Sequence, residues 1–315
     1  MGPIVGRAGY SPTVPPDPMA TADVVAFHQT LSNWGRWGDE DQLGTLNLIT
    51  PEVTATAAAT VRSGRTVSCA RPLDTVSSAD NPAPVAHHMT GTATEGMGAD
   101  YFAIASHGFA TSHLDALCHI FHEGKLYNGY PAETVTAHGA TELGIHRLHD
   151  GIVTRGVLLD VAALRGVDAL EPGEPIFPED LEAAEERSGL QVRAGDALLV
   201  RTGRWRWRAT HGAWDASSLA AGLHASCLPW LHERDVATLG SDGVSDVLPS
   251  LVEGVGMPIH TVAIVAMGVH LLDNLDFDAL AAACAEEQRW EFLFTVAPLV
   301  LRRGTASPVN PIALF

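Results

Sequence analysis

Apolar residues along this chain fall into short unbroken runs bounded by Gly, Pro or Asp, with few long periodic stripes. Runs of that kind read as buried strands, and they stand at 156–161, 197–201, 236–240 and 292–301. Shorter strand-like segments occupy 66–70 and 102–105. Thr50 followed by Pro51 pairs a cap with a first-turn proline and predicts an Ala-rich helix to about Val61. Further helices are expected over 178–187, 226–232, 259–267 and 276–289. Pro3, Pro12, Pro15, Pro16 and Pro18 make residues 1–33 an irregular arm that leads into a first helix near 24–32. Neither a repeat nor a linker divides the rest. The expectation is one α/β domain over 34–315, richer in strand than a simple β-α alternation.

Composition narrows the partners. The 315 residues are 46% hydrophobic and 18% charged, a globular balance. Nineteen Lys and Arg against 37 Asp and Glu give a net charge of -18, which repels phosphate backbones and anionic membranes. The apolar stretch at 261–272 is interrupted by Gly268 and His270 and falls short of the ~20 residues a bilayer demands. No signal peptide is legible, and Cys69, Cys118, Cys227 and Cys284 form no C-x-x-C pair. The expectation is reduced thiols, a cytoplasmic protein, and a small-molecule substrate with no nucleic acid or membrane as partner.

The densest chemistry lies in SHGFATSHLDALCHIFHEG at 106–124, which holds His107, His113, Asp115, His119, His122 and Glu123. Imidazole and carboxylate are ligands that Zn²⁺ or Mn²⁺ would take. In an extended segment His113 and Asp115 share one face. His119 lies four residues past Asp115, the spacing of helical neighbours, so a strand-to-helix junction would converge all three. A lone histidine is more often a surface or core group, but a cluster costs desolvation unless it binds something. A second group lies at Asp242 and Asp246, His260 and Asp273. For the first two an Asx turn around Gly243 is the bland alternative; Asp273 has a rival role near the N-cap of the last helix. No G-x-S-x-G elbow, phosphate loop or strand-linked G-x-G-x-x-G occurs. Cys118 lacks the positive surroundings a thiolate nucleophile needs.

At these residues the sequence resembles the cyclase family that includes bacterial kynurenine formamidase and isatin hydrolase, whose hallmark is H-x-x-x-H-x-D-x-x-x-H. Its latter part stands here as SHLDALCH, 112–119, and NWGRWGDEDQLGTLN (33–47), GDALLVRTG (195–203), MPIH (257–260) and RRGTASPVNPIAL (302–314) resemble further family blocks in the same order. The resemblance implies a swivelling β/β/α fold assembled as a homodimer or homotetramer, and hydrolysis of an amide or cyclic amide by metal-activated water. It implies His113, Asp115 and His260 as metal ligands and His119 as general acid/base. Asp273 falls near the family's late glutamate ligand, shorter by one methylene. One position departs: the first histidine of the hallmark is Phe109, leaving His107 and Asp242 as additional candidates. Trp34, Trp37 and Phe109 would wall a flat substrate. The leading expectation is therefore a Zn or Mn hydrolase of a small amide, cyclic amide or lactone. A metal-free hydrolase or lyase/cyclase using His119 and Asp115 is the alternative, and a non-catalytic ligand-binding relative the third reading.

Overall fold

The structure, a computed structural model, describes residues 19–315. Pro3, Pro12, Pro15, Pro16 and Pro18, which mark the expected arm, lie outside that range. The arm's helix spans Thr21–Thr30. The next helix, Pro51–Ala58, starts as its sequence predicts, with the Thr50 hydroxyl accepting from the Val53 amide.

Among the described residues nine strands form the main sheet: β1 (Thr66–Ser68), β2 (His113–Asp115), β3 (Ile152–Asp160), β4 (Ala197–Arg201), β5 (Thr238–Ser241), β6 (His270–Asp273), β7 (Glu291–Val296), β8 (Ala306–Pro308) and β9 (Ile312–Leu314). Their order is β1-β9-β7-β3-β4-β5-β6-β2-β8. The four central strands β3-β4-β5-β6 run parallel, and both flanks are antiparallel. Parallel neighbours need long crossovers. Here these include helices Pro178–Ser188 and Cys227–Glu233 and the segment from Pro258 to Met267. The parallel strands carry continuous apolar runs because both of their faces are covered: Val157, Leu158, Leu159, Leu198, Leu199 and Leu239 are wholly buried.

Several expectations shift at their edges. The run at 292–301 stops pairing at Val296, because Pro298 has no amide to donate, and Leu299, Val300 and Leu301 are exposed. The segment at 102–105 is the end of an exposed hairpin, Ala86–Gly91 with Ala99–Ala103. The helix expected over 259–267 is a short α-turn, Pro258–His260, running into a π-helix, Thr261–Met267, that Gly268 ends at φ 70°. No helix forms after Asp115; the chain makes a turn closed by the His119 amide on the Ala116 carbonyl. All four cysteines are free and buried, and burial pushes the Cys118 thiol up to about 12. Among the described residues no helix is long and apolar enough to cross a membrane.

The centre of the sheet is tightly filled around Gly156. A Cβ there would press on the buried Phe292 ring and come within 2.8 Å of the Phe294 Cβ. Gly156→Ala is therefore expected to destabilise the fold by about 1–3 kcal/mol, the usual cost of overpacking, read as a lower urea midpoint with unchanged slope. An unchanged midpoint would mean that β7 shifts freely, against this packing.

Candidate functional site

The antiparallel pairing of β2 with β6 sets His113 opposite Asp273. The two-residue period of β2 then puts Asp115 on the same face as His113. One strand register and the strand period thus assemble three ionisable groups before any loop contributes. Ligand-bearing chain ends outside the carboxyl ends of parallel strands are the usual address for a site in such sheets, and Asp273 is the last residue of β6.

Loops supply the rest. His260 closes the α-turn Pro258–His260, where Asp246 receives the Ile259 and His260 amides at 2.7 and 3.1 Å. The same carboxylate holds His260 Nδ1 at 2.6 Å, so Nε2 faces Asp273 Oδ2 at 3.1 Å and Asp115 Oδ2 at 3.9 Å. His113 is fixed in the same way: its Nδ1 donates to the Thr111 carbonyl at 2.8 Å, leaving Nε2 3.4 Å from Asp115 Oδ1. A carbonyl or carboxylate on the far nitrogen is the usual means of orienting a metal-ligating histidine.

His107 joins the cluster despite standing six residues before His113. Gly108, at φ 141°, turns the chain so that His107 Nδ1 lies 3.0 Å from Asp115 Oδ1 while Nε2 meets the Thr305 hydroxyl at 2.9 Å. Its ring stacks on His119 with centroids 3.7 Å apart. Phe109 points elsewhere: it packs against Ala220, Val244 and Leu248 and lines a cavity of about 490 Å³ with Leu248, Val252, Val255 and Met257. Trp34 and Trp37 do not line that cavity. Trp34 donates to the Val265 carbonyl and borders a separate cavity with His28 and His122, and Trp37 lies under the Arg36 guanidinium.

The electrostatics centre on Asp115. Both its carboxylate oxygens are buried; His107 Nδ1 at 3.0 Å and His113 Nε2 at 3.4 Å approach Oδ1 as ion pairs, without the alignment of a hydrogen bond. Burial alone would raise the Asp115 carboxyl, but His113, His107 and His119 hold it well below the usual range. Burial also works against a charged His113, yet Asp115 and Asp273 lift it to about 9; Asp273 and Asp246 likewise outweigh burial at His260 and raise it. His119 differs. Burial dominates there and lowers it to about 4, so it is neutral at pH 7.

Asp242 and Asp246 are not an Asx turn. Asp242 receives the Thr202, Gly203 and Arg204 amides and the Thr202 hydroxyl, tying the end of β4 to the end of β5, which is a structural task. Asp273 does not cap the last helix; Asp276 accepts the Asp278 amide instead. Asp246, a candidate in the second group for which the sequence also offered a turn role, orients a histidine fourteen residues away, a contact that spacing does not show.

Among the described residues two sets of side chains have the spacing to hold an ion: His107, His113 and Asp115, and Asp115, His260 and Asp273. The donor set of imidazoles and carboxylates suits Zn²⁺ or Mn²⁺. The orphaned Asp115 oxygens and His107 nitrogen are what a cation would satisfy. The residues fit the group.

Comparisons place this geometry among known proteins. The family model described as "Putative cyclase" matches residues 49–246. A crystal structure described as a novel cyclase is 30% identical at TM-score 0.83, with 91% of this chain and 99% of that one covered. Isatin hydrolase A from Ralstonia solanacearum has 22% identity and TM-score 0.57, covering 84% and 98%. A predicted metal-dependent hydrolase from Bacillus stearothermophilus has 15% identity and TM-score 0.51, covering 79% and 97%. The last two show the fold alone. No curated protein matches. The chain thus belongs to the cyclase family.

Proposed function

We propose that this protein is a metal-dependent hydrolase of a small amide, cyclic amide or lactone. One observation carries the reading: a buried carboxylate, Asp115, whose two oxygens lack hydrogen bonds and are faced by nitrogens of His107, His113 and His260. Leaving such a carboxylate unpartnered is expensive. The ligands would be His107, His113, Asp115, His260 and Asp273, Asp115 being common to both sets. When bound, a divalent ion there lowers the pKa of water and polarises a carbonyl.

The chain's own residues do the remainder. His119 is neutral and stacked on His107, beside the ligands but outside both ligand sets, so its free nitrogen can take a proton from water and return it to the leaving nitrogen or oxygen. Asp246 and Thr111 hold His260 and His113 with Nε2 presented. Phe109, Leu248 and Met257 offer the substrate an apolar wall, with Ser217, Ser218 and Ser250 as polar contacts on the same cavity. Phe109 lies two residues from His107 and Met257 three from His260, so the cavity's walls and the ligands are carried by the same chain segments. Isatin hydrolase among the structural neighbours supports a cyclic amide as the first substrate to try.

Three outcomes test this reading. A hydrolysis screen over formanilides, isatin-like lactams and lactones should find turnover that a chelator abolishes; turnover indifferent to chelator would favour a metal-free His119 and Asp115 pair. His119→Ala should lower kcat by ~10²-fold or more while metal content stays as in wild type, and a variant keeping above about a tenth of kcat would remove His119 from proton transfer. Metal affinity should also climb with pH. A proton on His113, held there to about pH 9 by Asp115 and Asp273, competes with the ion. The apparent affinity for Mn²⁺ should therefore rise between pH 6 and 8 by about tenfold per unit for each proton displaced. A flat profile would show that His113 is not a ligand.

A further inference from the structure

The segment that delivers His107 has an unusual amount of side-chain support. The Asn274 side-chain amide donates to the Gly108 carbonyl at 2.7 Å and to the Thr111 carbonyl at 3.2 Å. Its oxygen accepts from the Arg204 guanidinium at 2.5 Å, and the same guanidinium donates to the Phe109 carbonyl. The Asn274 carbonyl in turn accepts the Ser112 hydroxyl at 2.8 Å. Three carbonyls of one loop thus close on one arginine and one asparagine, both buried.

Neither residue is there by accident of packing. Burying an arginine costs several kcal/mol unless its donors are used. Arg204 is 5% exposed, has Asp80 only at 3.9 Å, and spends two of its nitrogens on this loop and on Asn274. It lies against the Trp205 ring, 4.5 Å from the centroid, and its amide is anchored on Asp242. Asn274 sits at φ 55°, a conformation that asparagine tolerates, immediately after the ligand candidate Asp273. It therefore connects the end of β6 directly to the loop carrying His107.

We propose that Arg204 and Asn274 form a clamp that positions His107 as a metal ligand, compensating for the phenylalanine at 109. A histidine six residues before His113 reaches Asp115 only if the intervening loop is folded back, through Gly108 at φ 141°. The clamp holds that fold by its carbonyls. Its shorter contact, to Gly108, lies next to His107, and the contact to Thr111 is longer at 3.2 Å. Both residues are positioning residues. The inference rests on the metal reading above.

The test uses the full-length protein and titrates Mn²⁺ and Zn²⁺ in competition with a chromophoric chelator. The variants are His107→Ala, Asn274→Gly and the two combined. Glycine keeps the left-handed backbone at 274 while removing the amide. Loss of an orienting partner commonly weakens a metal site by ~10–100-fold, and that is expected for Asn274→Gly. If the clamp acts through His107, the double variant binds no more than about threefold more weakly than the weaker single variant, because the effects are coupled. Wild-type affinity in Asn274→Gly, or losses that multiply in the double variant, would overturn the clamp. If Asn274→Gly fails to fold, Arg204→Lys keeps the charge and loses the fork, and the same two outcomes decide. Should wild type bind neither ion, the metal reading falls by itself. The clamp is then judged on the His107 ring nitrogens by ¹⁵N NMR: shifts that differ from wild type in the clamp variant support it, and identical shifts overturn it.

Discussion

A carboxylate taken out of water must be met by donors or by a cation, and Asp115 is met by no arginine and no aligned hydrogen bond, only by imidazoles at ion-pair distance. Its surroundings are imidazole nitrogens from two separate stretches of chain, 107–113 and the turn at 258–260, with the Asp273 carboxylate at the end of β6 beside them. Each of those nitrogens is oriented from behind, by Thr305, Thr111 or Asp246. The carboxylates around them favour protonated His113 and His260, both raised against the pull of burial. The same protons are what a divalent ion would displace.

The fold serves this constraint. The short strand β2 is buried between β6 and β8, and its register with β6 brings His113 across from Asp273 without any flexible side-chain reach. The crossover before β6 breaks into a π-helix directly after His260, a feature often found at functional sites. Asp242 uses its carboxylate to fasten the start of the helix Arg204–His211 to the end of β5, which in turn fixes Arg204 under the His107 loop. The apolar cavity beside Phe109 and Met257 grows from the same segments.

Much of this was legible in the sequence, and unevenly so. The parallel strands β3 and β4 announce themselves as continuous apolar runs, and Thr50-Pro51 marks a helix start. The pairing of His113 with Asp115 follows from the strand period alone, and the cyclase-family resemblance supplied His260 and Asp273. β6 was hidden because its four residues begin with a histidine and end with an aspartate, polar endpoints that mask a buried strand. His119 reaches the cluster through a turn and a ring stack, where helical spacing had pointed to a helix. His107 could not be read from spacing because its position depends on a positive-φ glycine and on side chains 97 and 167 residues further on, Arg204 and Asn274. Asp246 resembled a turn residue because nothing local distinguishes a carboxylate that caps a turn from one that orients a distant imidazole.

The central claim is that Asp115 is a carboxylate waiting for a cation. Thermal unfolding with and without Mn²⁺ or Zn²⁺ tests it most directly, since an ion that binds only the folded state raises Tm, by an amount equivalent to about 2.7 kcal/mol at a hundredfold excess over Kd. Wild type should gain several degrees with the ion and lose them with a chelator. Asp115→Asn, which removes the charge and keeps the shape, should melt at the same temperature with or without the ion. A wild type indifferent to both ions, or an Asp115→Asn variant that gains as much as wild type, would contradict the account.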